Sequence, residues 1–126
     1  MGLKSLITEL YLLENEECLK FTFNGTFKEE DAVEGIDDWR EIFASAQGES
    51  AVIIWDCLEM TGFENQARKA WQQAIKELKG QIKCVWLVTD SKVIKAGAKV
   101  MNAFTSFKLN VVKSIDKIVV ANIQAA

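Results

Sequence analysis

The best candidates for chemistry in this chain are four polar residues that follow two apolar segments. Asp56 and Glu59 follow the apolar segment Ala51–Trp55, and Thr89 and Asp90 follow the apolar segment Ile82–Val88. If both segments are parallel strands, these side chains gather at one edge of the sheet, where carboxylates bind Mg²⁺ or transfer protons. Asp90 is more simply a helix cap, and Asp56 a residue that ends a strand. We therefore expect no catalysis, and no metal or other cofactor.

Histidine is absent, which removes the Ser-His-Asp and Cys-His nucleophile arrangements and the commonest metal ligand. The three cysteines, Cys18, Cys57 and Cys84, form no C-x-x-C pair and lie in apolar segments. We expect buried, reduced thiols and neither a disulfide framework nor a zinc site. The seven glycines are scattered singly and form no phosphate-binding loop. The chain thus lacks the motifs of common hydrolase, zinc and nucleotide sites.

Charge is divided unevenly along the chain. Residues 1–63 carry 4 Lys/Arg and 14 Asp/Glu, a net charge of −10, whereas residues 64–126 carry 11 and 4, a net charge of +7. The division indicates complementary faces within the fold or a basic surface for an anionic partner, and solvated helix faces of opposite sign explain it equally. Nucleic acid is not an expected partner, since 18 acidic residues dilute the lysines.

Length and hydropathy predict a single domain over residues 1–126. A chain of 14.2 kDa with 49% hydrophobic and 26% charged residues has the size and composition of one globular domain. No apolar run approaches the roughly 20 residues of a membrane span, and Met1–Leu10 lacks the pattern of a signal peptide. We expect a cytoplasmic protein, for which peripheral association is the remaining membrane role.

Turn and capping signals divide the first half of the chain. Leu6–Leu13 and Cys18–Phe23 are strand candidates joined by an acidic turn, which predicts a hairpin. Thr26 and Glu29 have the spacing of a capping box, which predicts a helix over about 27–46.

The second half alternates apolar strands with amphipathic helices. The strand candidates are Ala51–Trp55, Ile82–Val88 and Leu109–Val112. Thr61 and Glu64 have the spacing of a second capping box, for a helix that ends near residue 79. Asp90 or Ser91 caps a third helix, over 92–107.

Strands separated by single amphipathic helices predict βαβ crossovers and a parallel sheet. The opening hairpin adds one antiparallel pair. The predicted fold is an α/β sandwich in the order β-β-α-β-α-β-α-β-α, with a mostly parallel sheet. Its last element, over 115–123, has the pattern of a helix that begins after Ser114 and equally that of a strand.

The helix predicted over Lys92–Phe107 has more apolar surface than one sheet can cover. At about 100° per residue its apolar side chains cover an arc of roughly 220°, whereas docking on a sheet requires little more than about 100°. A neighbouring helix, a second subunit in a homodimer, a lipid surface or a ligand must cover the excess. Gly97 and its alanine neighbours fit close packing and equally a cavity.

Three blocks of sequence resemble one family. The first is FNGTFKEED at residues 23–31, and the third is VWLVTDSKVIKAGAKVMNAFT at residues 85–105. The second consists of Asp56, the tripeptide GFE at residues 62–64, and Ala67. In order and spacing they resemble the SpoIIAA-like family, a branch of the STAS (sulfate transporter and anti-sigma-factor antagonist) domains, over nearly the whole chain. The resemblance implies a bacterial STAS-type sandwich, similar to the lipid-binding CRAL-TRIO fold. The roles it implies are binding roles without established catalysis.

The first function hypothesis is a small hydrophobic ligand, a lipid or a membrane surface bound through helix 92–107. Lysine stems reach anionic headgroups while aromatic side chains lie deeper in the lipid, and Trp71 supplies a wall for a ligand. The candidate binding residues are Trp71, Lys92, Lys95, Lys99, Val100, Met101, Phe104 and Phe107.

The alternative is a protein-interaction regulator of the anti-sigma-factor-antagonist type. The resemblance implies a switch by phosphorylation of a serine in an Asp-Ser-Ser-Gly motif at a helix N-terminus. The corresponding stretch here is Met60-Thr61-Gly62, in which only Thr61 can accept phosphate and the Asp-Ser pair is missing. Thr61 is therefore the candidate phosphorylation switch. A purely structural role, as the cap of a helix in a capping box with Glu64, also explains a threonine at this position.

Overall fold

Five strands form one sheet and follow each other across it in chain order. The structure is a computed structural model that describes residues 4–13, 16–45, 50–103 and 108–118. The strands are β1 (Leu6–Leu13), β2 (Glu16–Phe27), β3 (Ala51–Phe63), β4 (Ile82–Val88) and β5 (Leu109–Val112). β1 pairs with β2 antiparallel, and every later pair is parallel. The predicted mostly parallel sheet with an N-terminal antiparallel hairpin is confirmed.

Three helices connect the parallel strands: α1 (Glu29–Ser45), α2 (Asn65–Leu78) and α3 (Lys92–Ala103). A short 3₁₀ helix, Lys79–Gln81, follows α2, and a second, Ile115–Lys117, follows β5. The α/β class and the predicted order are confirmed as far as β5. Residues 104–107, with which the third helix was predicted to end, lie outside the described residues.

Alternation along the strands gives the sheet two different faces. The front face carries Leu19, Phe21, Phe23, Ile53, Trp55, Val85 and Leu87, which pack against α1, α2 and α3. The back face carries Cys18, Val52, Ile54, Cys84, Trp86 and Val88, against which Ile118 packs from the chain after β5. All three helices therefore lie on the front face, and the candidate site is on that side.

The first predicted capping box is wrong. Thr26 lies in β2, which continues to Phe27, and α1 begins only at Glu29. Past the sheet, residues 24–27 of β2 pair with residues 59–63 of β3 and form a two-stranded ribbon. The pairing of the ribbon holds Thr26 in extended backbone, which outweighs the local capping preference.

The start of α1 is capped by side chains that are distant in sequence. The backbone N–H of Glu29 donates to Oε1 of Glu64 at 2.8 Å, and the backbone N–H of Lys28 donates to the Ser5 hydroxyl at 3.1 Å. The Ser5 hydroxyl donates in turn to Asp31 at 2.6 Å. These tertiary hydrogen bonds replace the predicted local cap.

The second predicted capping box is also wrong, and for the same reason. Thr61 lies in β3, and α2 begins at Asn65 with Glu64 as its N-cap, which makes no side-chain capping hydrogen bond. The Glu64 carboxylate instead accepts a hydrogen bond from the backbone N–H of Glu29. Thr61 is therefore an exposed residue of the ribbon and does not lie at a helix N-terminus.

The predictions made at Ser91 and Ser114 had different outcomes. Ser91 caps α3 as predicted, since its hydroxyl accepts from the Ile94 N–H at 3.3 Å. Of the two alternatives for the segment after Ser114, the α-helix is wrong as far as Ile118, because a 3₁₀ turn ends at Lys117 and Ile118 has extended backbone. Ile118 instead packs on the back face of the sheet. Residues 119–123 lie outside the described residues.

Candidate functional site

An apolar cavity of about 60 Å³ opens between α2, α3 and the front face of the sheet. It lies towards the carboxyl ends of β3 and β4, the end at which open α/β sheets hold ligands. Its lining consists of Phe23, Phe27, Trp55, Cys57, Met60, Phe63, Arg68, Trp71, Leu87, Ile94, Gly97 and Ala98. All but Arg68 are uncharged, so the site is suited to an apolar molecule.

The ribbon supplies one wall of the cavity. Phe27, Met60 and Phe63 line it from the paired ends of β2 and β3. Phe27 is buried, whereas Phe63 is 37% exposed. This wall exists because both strands run past the sheet, which the sequence patterns did not predict.

Trp71 of α2 forms a second, rigid wall. Its ring makes edge-to-face contacts with Phe21, Phe23 and Phe27 at centroid distances of 4.9, 5.6 and 5.6 Å, and it is 2% exposed. Trp39 packs on it from α1 at 5.2 Å. Such aromatic contacts stabilise one ring orientation, so this wall is formed before any ligand arrives. The structure thus places Trp71, a predicted site residue, in the lining of the cavity.

α3 forms a third wall of the cavity, in which two small residues follow Ile94. Ile94, Gly97 and Ala98 line it, and only Ala98 of the three is fully buried. A Cβ atom built on Gly97 would meet nothing within 4 Å. The open space beside Gly97 is thus available to a larger side chain or to a ligand. Of the two readings of these small residues, the structure favours a cavity over close packing at Gly97.

The other predicted binding residues of α3 lie away from the cavity. Lys92, Lys95, Lys99 and Val100 are exposed, Val100 to 57%, and none of them lines the cavity. Val93, seven residues before Val100 and so on the same side of the helix, is 75% exposed. The predicted set therefore divides between an inner cavity and an outer helix surface. Met101 belongs to α3, and Phe104 and Phe107 lie outside the described residues.

Arg68 was missed by the sequence analysis. It is half-buried in the cavity lining, where its Nη1 atom donates to Oε1 of Gln72 at 3.4 Å. It forms no ion pair with a carboxylate among the residues that the structure describes. A signal was present, because Arg68 precedes Trp71 by three residues and so lies on the same helix face.

Cys57 brings no nucleophile to the cavity. Burial raises the pKa of its thiol far above the ordinary value, and the neighbouring Asp56 carboxylate raises it further. The thiol is therefore neutral and unreactive near pH 7. Cys18 and Cys84 are buried as well, which confirms the predicted burial of all three cysteines.

The candidate polar residues Asp56, Glu59, Thr89 and Asp90 lie in separate environments. Asp56 lies 3.8 Å from the Lys20 ammonium on the back face, and Thr89 is buried with its hydroxyl accepting from the Ser91 N–H at 3.1 Å. Glu59 and Asp90 are exposed. Within the described ranges, no three Asp, Glu or Cys side chains are grouped so as to hold a metal ion. The geometry offers no support for joint chemistry by these residues.

Comparison with solved structures identifies the architecture. The chain superposes with a TM-score of 0.79 on an uncharacterised protein of the DUF3478 family from Shewanella loihica PV-4, described as having a SpoIIAA-like fold; the match covers 92% of each chain at 16% identity. This chain has a SpoIIAA-like fold. The resemblance read from the sequence is thereby confirmed at the level of fold. No family model matches the chain, and no curated protein matches it significantly.

Of the helices in the part of the chain that the structure describes, none is both long and apolar enough to cross a membrane.

Proposed function

We propose that this protein is a non-catalytic binding module that takes a small hydrophobic ligand into the cavity between α2 and α3. The observation that carries the proposal is the lining itself, in which apolar side chains surround a volume that the protein leaves open beside Gly97. Protein interiors are otherwise close-packed, and an apolar cavity excludes water while it admits apolar molecules.

The size of the cavity favours a slender aliphatic chain over a ring. A cavity of roughly 150 Å³ lined by apolar side chains binds benzene, whereas the volume here is about 60 Å³. A larger ligand requires α3 to move outward. Such movement costs little packing, because Ala98 is the one fully buried side chain among those described in α3.

A titration with 1-octanol tests the proposal. Trp55 and Trp71 line the cavity, so ligand entry should change the tryptophan fluorescence in a saturable way. In a Gly97→Leu variant the new side chain occupies the cavity, and we expect octanol affinity to fall at least about tenfold. Gly80→Leu is the matched control, since a Cβ on Gly80 also meets nothing within 4 Å and Gly80 does not line the cavity.

Two outcomes would contradict the proposal. One is the absence of saturable binding to the wild-type protein. The other is unchanged affinity in Gly97→Leu while that variant unfolds at the same temperature as the wild type or higher, because a filled cavity then makes no difference.

A second candidate function is attachment to an anionic membrane surface through the outer side of α3. The observation that favours it is the exposure of Val93 and Val100 beside Lys92 and Lys99. Apolar side chains flanked by lysines suit the boundary between headgroups and acyl chains.

Flotation with vesicles tests this second candidate. We expect the wild type to float with phosphatidylserine vesicles and not with phosphatidylcholine vesicles. A Val93→Ser, Val100→Ser double variant should float less, while Val33→Ser, at a 50% exposed valine on the acidic α1, should behave as the wild type. If no vesicle carries the wild type upward, this candidate fails and the cavity proposal is unaffected.

A further inference from the structure

We propose that the ligand of the cavity is an amphiphile with one anionic headgroup, such as a medium-chain carboxylate, and that Arg68 binds that headgroup. This inference rests on the proposed function. It adds what the apolar lining alone does not determine, namely the chemical class of the ligand's polar end and its position relative to α2.

Among the described residues that line the cavity, Arg68 is the one with a charged side chain. Its recorded side-chain hydrogen bond is the long contact, 3.4 Å, with the neutral amide of Gln72. Glu64, the N-cap of α2 and four residues before Arg68, accepts at Oε1 from the backbone N–H of Glu29 at 2.8 Å. No carboxylate in the described part of the chain forms an ion pair with Arg68. The guanidinium therefore retains donors that can bind an anion.

The other arginine of the chain shows what a satisfied guanidinium looks like in this fold. Arg40 donates from Nε and from Nη2 to the two carboxylate oxygens of Glu77, both at 2.8 Å, and from Nη1 to Asp37 at 3.3 Å. Planar, two-point recognition of a carboxylate is the interaction that arginine forms best. Arg68 has the same donors without such a partner among the described residues, and it lies beside an apolar cavity.

The combination of one cation and an apolar interior selects an amphiphile. A neutral hydrocarbon would leave the guanidinium unused, and a small hydrophilic anion would leave the cavity empty. A chain that enters the cavity gains about fourfold in affinity for each methylene buried. The anionic end then remains at Arg68, which is only half-buried, so the charge is not carried into the apolar interior.

The experiment compares octanoate with 1-octanol, which shares its chain and lacks its charge, by calorimetric titration at pH 7.5. In the wild type we expect octanoate to bind, and in Arg68→Gln we expect its affinity to fall about tenfold while octanol affinity stays within about twofold. Arg68→Lys keeps the charge without the planar fork and should retain part of the octanoate affinity. Arg40→Gln is the matched control and should bind octanoate as the wild type does.

The outcomes separate this inference from the proposed function. If octanol binds and Arg68→Gln leaves octanoate affinity unchanged, the headgroup assignment is overturned and the hydrophobic site stands. If neither compound binds the wild type, both fail. Octyl phosphate identifies the anion: tighter binding of octyl phosphate than of octanoate, again lost in Arg68→Gln, supports Arg68 as the anion site with phosphate as the preferred group.

Discussion

α1 and α3 pack on the same face of the same sheet, yet they bury different amounts of their surface. α1 buries Ala32, Gly35, Ile36, Trp39 and Phe43. Among the described side chains of α3 only Ala98 is fully buried, with Ile94, Gly97 and Asn102 half-buried. α1 therefore completes the core, whereas α3 covers a cavity that the core side chains leave open.

The two glycines within these helices show the same difference at atomic scale. A Cβ on Gly35 of α1 would come within 2.3 Å of a Leu6 side-chain carbon, whereas a Cβ on Gly97 of α3 would meet nothing within 4 Å. A side chain at Gly35 would displace Leu6, which packs from β1 against α1. A Cβ atom at Gly97 would displace nothing that the structure describes, which is why we connect this position with a ligand.

The largest effect should come from truncation of the α1 core. Trp39 is fully buried and contacts Phe21, Phe43 and Trp71. We expect Trp39→Ala to lower the free energy of unfolding by about 3–5 kcal/mol, and Val100→Ala in α3 to change it by less than about 0.5 kcal/mol. Urea denaturation measures both, and comparable losses at the two positions would remove the contrast between the helices.

The next largest effect should be on the free energy of unfolding when each glycine is replaced by alanine, and we expect its sign to differ between Gly97 and Gly35. Alanine favours an α-helix over glycine by about 0.5–1 kcal/mol, so Gly97→Ala should stabilise the protein by about that amount. At Gly35 the clash with Leu6 outweighs this gain, and we expect a net loss of about 1 kcal/mol. Thermal unfolding of the two variants side by side checks the signs; destabilisation by Gly97→Ala would mean that the space beside it is already filled.

The smallest effect concerns the ion pair that joins α1 to α2. Hydrogen bonds from Arg40 hold the pKa of the Glu77 carboxyl below its ordinary value. The folded state thus favours the ionised form, and this stabilisation is complete above about pH 4.5 and is lost as pH falls through the lowered pKa. Because the pair is exposed, its contribution is small.

A Glu77→Gln variant makes this contribution measurable. We expect its urea midpoint to lie below that of the wild type at pH 7 and to approach it at pH 3. Lys95 is exposed on α3 and forms no ion pair with any residue that the structure describes, so Lys95→Gln should match the wild type at both pH values. A wild-type advantage over Glu77→Gln that persists unchanged at pH 3 would show that the carboxylate charge is not its source.

The sheet was predictable from the sequence because its apolar runs report directly on burial. β4 and β5 have the predicted bounds, and the hairpin and helical connections were recognised from alternation and turn residues. The ribbon of β2 and β3 was missed, since residues 57–63 mix polar and apolar types and Thr61 with Glu64 imitates a helix start. Strand pairing between distant segments decided that conformation, and local patterns do not record it.

The candidate site was predictable only in part, for a related reason. Helical periodicity identified α3 as over-apolar and Trp71 as a wall, because both follow from one helix at a time. Phe27, Phe63 and Arg68 reach the cavity through the ribbon and the start of α2, which the predicted boundaries misplaced. The ribbon, α2 and α3 meet only in the folded chain, and their packing places the Arg68 guanidinium beside the apolar cavity.

The most direct test of the account is to locate a bound chain by NMR. In a ¹³C-edited NOE experiment on the protein with saturating 1-octanol, we expect cross-peaks from the chain to the Ile94 methyl groups and the Trp71 ring, weakened in Gly97→Leu. Cross-peaks instead to Leu10 and Leu12, the exposed leucines of β1, would contradict the account, because the chain would then occupy an exposed strand and not the space beneath α3.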